Sequence, residues 1–293
     1  MLDRRLSRRL LLTGSAGLLC SCALPTCRSA DLTPRLEAIR ARLGGRLGVH
    51  ALDTGTGRRA GFDDGARYAM ASTFKLLLAA AILERCDRGA LALDQQVAYG
   101  QGDMVAHAPE TSKHLARGWM TLEALCAAIV TVSDNPAANL LLGQIGGPDG
   151  LTSFVRGLGD PVTRLDRTEL ELNENAPGDA RDTTSPRAMV DTMHRLLVGP
   201  VLAPESRERL IGWLVAAQTG LGRIRGGLPA GFRAGDKTGT GQNGAVNDVA
   251  IAWPPGRAPW LIAIYTSESR RGLEELNAAY AEIAALIAQA WIG

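Results

Sequence analysis

Metal-ligand spacing is missing from this chain. Its four histidines, His50, His107, His114 and His194, form neither a His-x-His nor a His-Glu-x-x-His cluster, which argues against a catalytic zinc. No Gly-x-Ser-x-Gly elbow is present, as an α/β-hydrolase serine enzyme would need, and no glycine-rich phosphate loop. Neither a metal nor a cofactor is expected. A basic stripe is also lacking. Five arginines against Asp3 in residues 1–30 outweigh the formal net charge of +2, so the remaining chain is slightly acidic and nucleic acid is not an expected partner. No apolar run suits a permanent membrane span. Cysteine is scarce beyond residue 30: Cys20, Cys22 and Cys27 precede it, leaving Cys86 and Cys126 as buried thiols rather than a disulfide scaffold. Repeats, low-complexity tracts and a Pro-rich linker are absent too.

What is present begins with an export signal in residues 1–30. Ser7-Arg8-Arg9 precedes a short apolar run, Leu10 to Leu19. The arginine pair resembles a twin-arginine signal, with an ordinary basic n-region as the other reading. Leu19-Cys20-Ser21-Cys22 resembles a lipobox that would acylate Cys22, and simple cleavage before Asp31 is the alternative. The exported protein, periplasmic or secreted, is expected to be a monomer.

The remaining residues, 46% apolar over the full 293, suffice for a substantial core. Asp31-Leu32-Thr33-Pro34 reads as a helix start, and Leu36, Ile39 and Leu43 repeat at helical spacing. Arg46–Asp53 and Arg58–Ala66 read as strands around Thr54-Gly55-Thr56-Gly57. Phe74 to Leu83 is apolar on almost every side except at Lys75, as in a core helix. Helical patterns continue through 122–130, 136–145, 151–158 and 186–197. Arg233–Thr240, Val246–Trp253 and Trp260–Ser267 are short, β-rich and bounded by Gly or Pro, and Leu273–Ile292 closes the chain as a helix. This order implies an α/β fold: an antiparallel sheet flanked by helices, built from residues 31–67 and 215–293, with an all-helical insertion over 68–214.

Four polar signatures stand in series. In Ser72-Thr73-Phe74-Lys75 the Ser and Lys share a helix face one turn apart, so an amine can take the hydroxyl proton from a serine nucleophile. A capping Ser with a snorkelling Lys is the plainer alternative. Ser133-Asp134-Asn135 precedes Pro136, so it reads either as a capping turn or as a proton relay (Ser133) with a substrate-amide ligand (Asn135). Arg164 to Asp182 is polar and weakly periodic, an Ω-type loop. Within it Glu169 and Asn173 converge on one water, and Arg167 and Asp182 are positioned to close the ends. Lys237-Thr238-Gly239-Thr240-Gly241 lies on a strand whose glycines suit close backbone approach by a ligand. There Lys237 and Thr238 would hold a substrate carboxylate, and the Thr240 N–H would join that of Ser72 as an oxyanion hole.

Together these motifs resemble the class A serine β-lactamases from about residue 31 to the end. The resemblance implies that Ser72 forms an acyl-enzyme from penicillins and cephalosporins, that Lys75 and Glu169 are the candidate acylation bases, and that Glu169 drives hydrolysis. It also implies a cis Glu169–Leu170 peptide bond, although Leu170 stands where many members have Pro. His107 falls at the pocket rim. The resemblance further implies that Arg223 takes the carboxylate-binding role that other members give to an arginine at the position of Val246, a surface arginine being the plainer alternative. Cys126 matches half of a disulfide found in some members, but its partner position is Ala79, and Cys86 lies about 10 Å further along the helix, beyond disulfide reach. Ala71 and Gly241 stand where one carbapenem-hydrolysing branch has a disulfide. The rivals are a penicillin-binding D-alanyl-D-alanine peptidase and a non-catalytic β-lactam sensor, and Glu169 and Asn173 argue against both.

Overall fold

The computed structural model describes residues 32–292; the signal, Arg8-Arg9 and Cys22 lie outside them. In chain order the elements are α1 (Thr33–Leu43), β1 (Arg46–Asp53), β2 (Arg59–Phe62), β3 (Tyr68–Ala69), α2 (Phe74–Asp87), β4 (Gln96–Ala98), α3 (Thr111–His114), β5 (Trp119–Thr121) and α4 (Leu122–Thr131). There follow α5 (Asn135–Ile145), α6 (Gly147–Gly157), β6 (Thr183–Thr184), α7 (Pro186–Leu197), α8 (Pro204–Val215), α9 (Ile224–Gly227), β7 (Arg233–Thr240), β8 (Val246–Trp253), β9 (Trp260–Ser267) and α10 (Leu273–Ile292).

One five-stranded antiparallel sheet has the order β2-β1-β9-β8-β7. The first long strand therefore pairs with the last, with Val49 opposite Ile264. Successive side chains in a strand point to opposite faces. Ala250, Ile262 and Ile264 pack with α1 and α10 on one side, while Val249, Ile251 and Ala263 join the core around α2 on the other. Both faces are thus covered, which explains strands buried almost from end to end. Helix α2 is enclosed in turn: Phe74 to Leu83 are all buried, and α4, α5, α6 and α8 surround it.

Three local expectations change. The second strand ends at Phe62 rather than Ala66, because Asp63 turns the chain with φ 44°. Helix α1 starts at Thr33 with Leu32 in the cap position and no capping side chain; Asp31 is outside the described residues. Ser72 sits not in α2 but in a 3-10 turn, Ala71–Thr73, that leads into it.

Candidate active site

Ser72 is delivered by a sharp entry. Ala71 has φ 41°, unusual for a residue with a side chain, and Asn247 donates from Nδ2 to the Ala69 and Met70 carbonyls at 2.9 and 3.0 Å. Strand β7 runs against this turn. A Cβ on Gly239 would lie 2.7 Å from the Met70 oxygen and 3.1 Å from the Ser72 nitrogen, so only glycine lets the strand come this close. The close approach expected of a ligand at Gly239 is made instead by the nucleophile's own turn.

The Ser72 hydroxyl donates to Glu169 Oε1 at 3.3 Å, and Lys75 Nζ lies 2.9 Å from the same oxygen. Lys75 also donates to the Ser133 carbonyl at 2.8 Å, to Ser133 Oγ at 3.4 Å and to Asn135 Oδ1. Burial pulls its amine below the usual lysine range, against the attraction of Glu169. Ser133 Oγ receives a second ammonium, Lys237 Nζ, at 3.1 Å. Burial, together with the charge of Lys75, lowers Lys237 to about 7, although Asp236, Asp248 and Glu169 oppose this. Two amines therefore converge on one hydroxyl.

The Ser133-Asp134-Asn135 segment is a capping turn, and it also aims Ser133 and Asn135 at Lys75. Asp134 caps α5 by accepting from the Ala137 N–H at 3.0 Å, and its carboxylate also takes the Glu110 and Thr111 N–H groups. Ser133, at φ 62°, and Asn135 are thereby turned towards Lys75.

Glu169 is fixed from both ends. Asn173 donates to its Oε2 at 2.6 Å, and Asn139 grips its backbone, accepting from the N–H and donating to the carbonyl, each at 2.9 Å. The Glu169–Leu170 bond is cis, as expected. At the loop's neck the buried Asp182 accepts from the Asp166 and Arg167 N–H groups at 2.7 and 2.9 Å and from Arg167 Nε at 2.6 Å. Asn139 escaped the sequence reading, although it lies one helical turn beyond Asn135, on the same face.

A cleft of about 460 Å³ opens above these groups, lined by Ser72, Ser133, Asn135, Asn173, Thr238 and Thr240 among others. His107 and Leu170 form part of its wall, as do Thr219 and Gln242, which the sequence did not single out. Arg223 also reaches the cleft; its guanidinium donates to the Gly239 and Asn247 carbonyls, to Thr240 Oγ1 and to Asn277 Oδ1, all neutral acceptors. All the sequence-derived site residues thus lie in or directly beneath one cleft.

The chain belongs to the Beta-lactamase enzyme family, which it matches over residues 31–291. Among curated relatives it is 42% identical over 304 residues to Beta-lactamase AST-1 of Nocardia asteroides, spanning 98% of this chain and 97% of that one. It is 46% identical over 244 residues to the carbapenem-hydrolyzing beta-lactamase KPC of Klebsiella oxytoca, 83% of each chain. The solved structure of the last common ancestor of Gram-negative bacteria beta-lactamase class A is similar at TM-score 0.88 and 53% identity, covering 89% of this chain and 100% of that one.

Proposed function

We infer that this protein is a class A β-lactamase that hydrolyses the β-lactam amide of penicillins and cephalosporins and so confers antibiotic resistance. The observation that carries the reading is the Glu169 carboxylate, within hydrogen-bond distance of Ser72, Lys75 and Asn173 at once.

Ser72 Oγ attacks the lactam carbonyl while its proton passes to Glu169, directly or by way of Lys75. Both bases stand on one hydrogen-bonded chain, so either route ends on the same oxygen. The developing oxyanion is held by the Ser72 and Thr240 N–H groups. As the C–N bond breaks, Ser133, fed by Lys75 and Lys237, gives its proton to the leaving nitrogen. Asn135 binds the substrate's side-chain amide, and Lys237, Thr238 and Arg223 hold its carboxylate. Glu169 and Asn173 then orient and deprotonate the water that cleaves the ester and frees Ser72.

The same proposal covers export of the enzyme through residues 1–30, by a twin-arginine signal with cleavage or with Cys22 acylated. It also covers action as a monomer and the division into an α/β part (31–67, 215–293) and a helical part (68–214).

Glu169→Ala tests the reading. General-base catalysis contributes about 100- to 10,000-fold, so the variant should accumulate a penicilloyl adduct on Ser72 visible by intact-protein mass spectrometry. Wild type should clear the adduct within the mixing time. A wild-type protein that stays acylated is a peptidase or a sensor.

A further inference from the structure

Beneath the carboxylate-binding end of the cleft lie two acidic side chains that the mechanism does not use. Asp236 on β7 and Asp248 on β8 are both fully buried. Thr238 is opposite Asp248 in the register, so Asp236, two residues earlier, is its diagonal neighbour on the same face of the sheet. One oxygen of each carboxyl is satisfied: Asp236 Oδ1 takes the Arg225 guanidinium, and Asp248 Oδ2 accepts the Ile224 N–H at 3.0 Å. The others, Asp236 Oδ2 and Asp248 Oδ1, are buried with no hydrogen-bond partner. The Asp236 oxygen is also walled in, since a Cβ on Gly220 would fall 1.4 Å from it.

Two fully buried carboxyls at neighbouring positions on one face of the sheet resist ionising together at neutral pH, and a single proton shared between them would give each orphaned oxygen a partner. We infer that Asp236 and Asp248 share one proton, with Asp248 as the acid donating to the Asp236 carboxylate, and that this withholds one negative charge that would otherwise compete with an anionic substrate for Lys237 and Arg223. The charges around the pair fit. Arg225 already balances Asp236. Arg223 spends its hydrogen bonds on neutral acceptors, and the charge of an ionised Asp248 would act on it. Lys237 projects from the same strand, with Lys75 and Glu169 beyond it. The remaining titratable neighbours, Tyr265 and Tyr280, are kept protonated by burial. Burial lifts both carboxyls above the usual carboxylate range, Asp248 the further. Asp248 is accordingly a positioning residue: it keeps a negative charge out of the layer under the site.

The kinetic part of this inference rests on the proposed carboxylate role of Lys237 and Arg223; the protonation state does not. Infrared difference spectra of the wild-type protein near pH 7 should therefore contain the C=O stretch of a protonated carboxylic acid, shifted in D₂O and missing in Asp248→Asn. Absence of that band from wild type overturns the shared proton whether or not the protein turns over a β-lactam. Because the asparagine amide imitates the neutral acid, Asp248→Asn should change KM for a penicillin by less than about threefold. A fall in KM beyond that would mean that a carboxylate had been shielding the two cations, and a rise that Asp248 binds by another route; both overturn the inference. Should the variant fail to fold, the wild-type band decides.

Discussion

Lys237 concentrates the electrostatic conflict of the site. Its amine must be charged to hold a carboxylate, yet burial and Lys75 bring it down to about 7. The sign follows directly: as pH rises through 7 the ammonium form is lost, so KM for a penicillin should climb above neutrality. From pH 7 up to about 10.4, the ordinary lysine value, the unfolded chain holds a proton that the folded one lacks, so this group favours folding more as pH rises across that window. KM measured from pH 6 to 9 checks the binding half. A flat wild-type profile would refute it, and Lys237→Arg, which stays charged, should flatten the rise. The sequence announced this residue and its partners through motif spacing alone. It did not announce how they meet, because the bonds that matter, such as Ser72 to Glu169 across 97 positions, are made by tertiary packing. Asn139 was missed for a different reason: an asparagine on a buried helix face has no motif of its own, only its spacing from Asn135.

The loop from Arg164 to Asp182 shows how an element with little regular structure can hold a catalytic group. Among its residues only a 3-10 turn, Glu171–Asn173, is regular, so its geometry comes from side chains. Asp182 does most of this. Besides binding the loop's neck, its carbonyl accepts the Met70 N–H at 2.8 Å, and the next two residues pair with β3. The loop's end and the lead into Ser72 are thus one joint. Asp182→Asn would keep an acceptor for the two N–H groups but lose the charged partner of Arg167, at a cost of about 1–3 kcal/mol. At this size that corresponds to a melting-point drop of roughly 3–10 °C, with slower deacylation. An unchanged melt with full activity would show the ion pair to be incidental. Such joints are hard to see in a sequence, since β3 and β6 have two residues each. The long strands were plain because Gly or Pro punctuates them, and β7, β8, β9 and α10 begin and end where the pattern placed them. Helix α8 went unseen: its first half, Pro204-Glu205-Ser206-Arg207-Glu208-Arg209, is mostly charged, and its apolar side gathers only from Leu210 onwards.

At the scale of the molecule, the described residues hold together without a covalent cross-link. Cys86 and Cys126 are both free, as expected from the missing partner at Ala79. Burial raises both thiols, Cys126 far more, and Cys126 is wholly enclosed. Native protein should therefore let a thiol reagent reach Cys86 at a measurable rate, while Cys126 reacts only on global opening. Denatured, unreduced protein should yield both, and a protected pair would refute the placement of the two helices. A different consequence follows from pairing β1 with β9. Arg46 lies opposite Ser267, so the sheet's middle cannot close until the chain has left the ribosome as far as Ser267. During translation the nucleophile, made early, waits for strands made late, and a nascent chain halted before Trp260 carries every motif of the site without the sheet that assembles it.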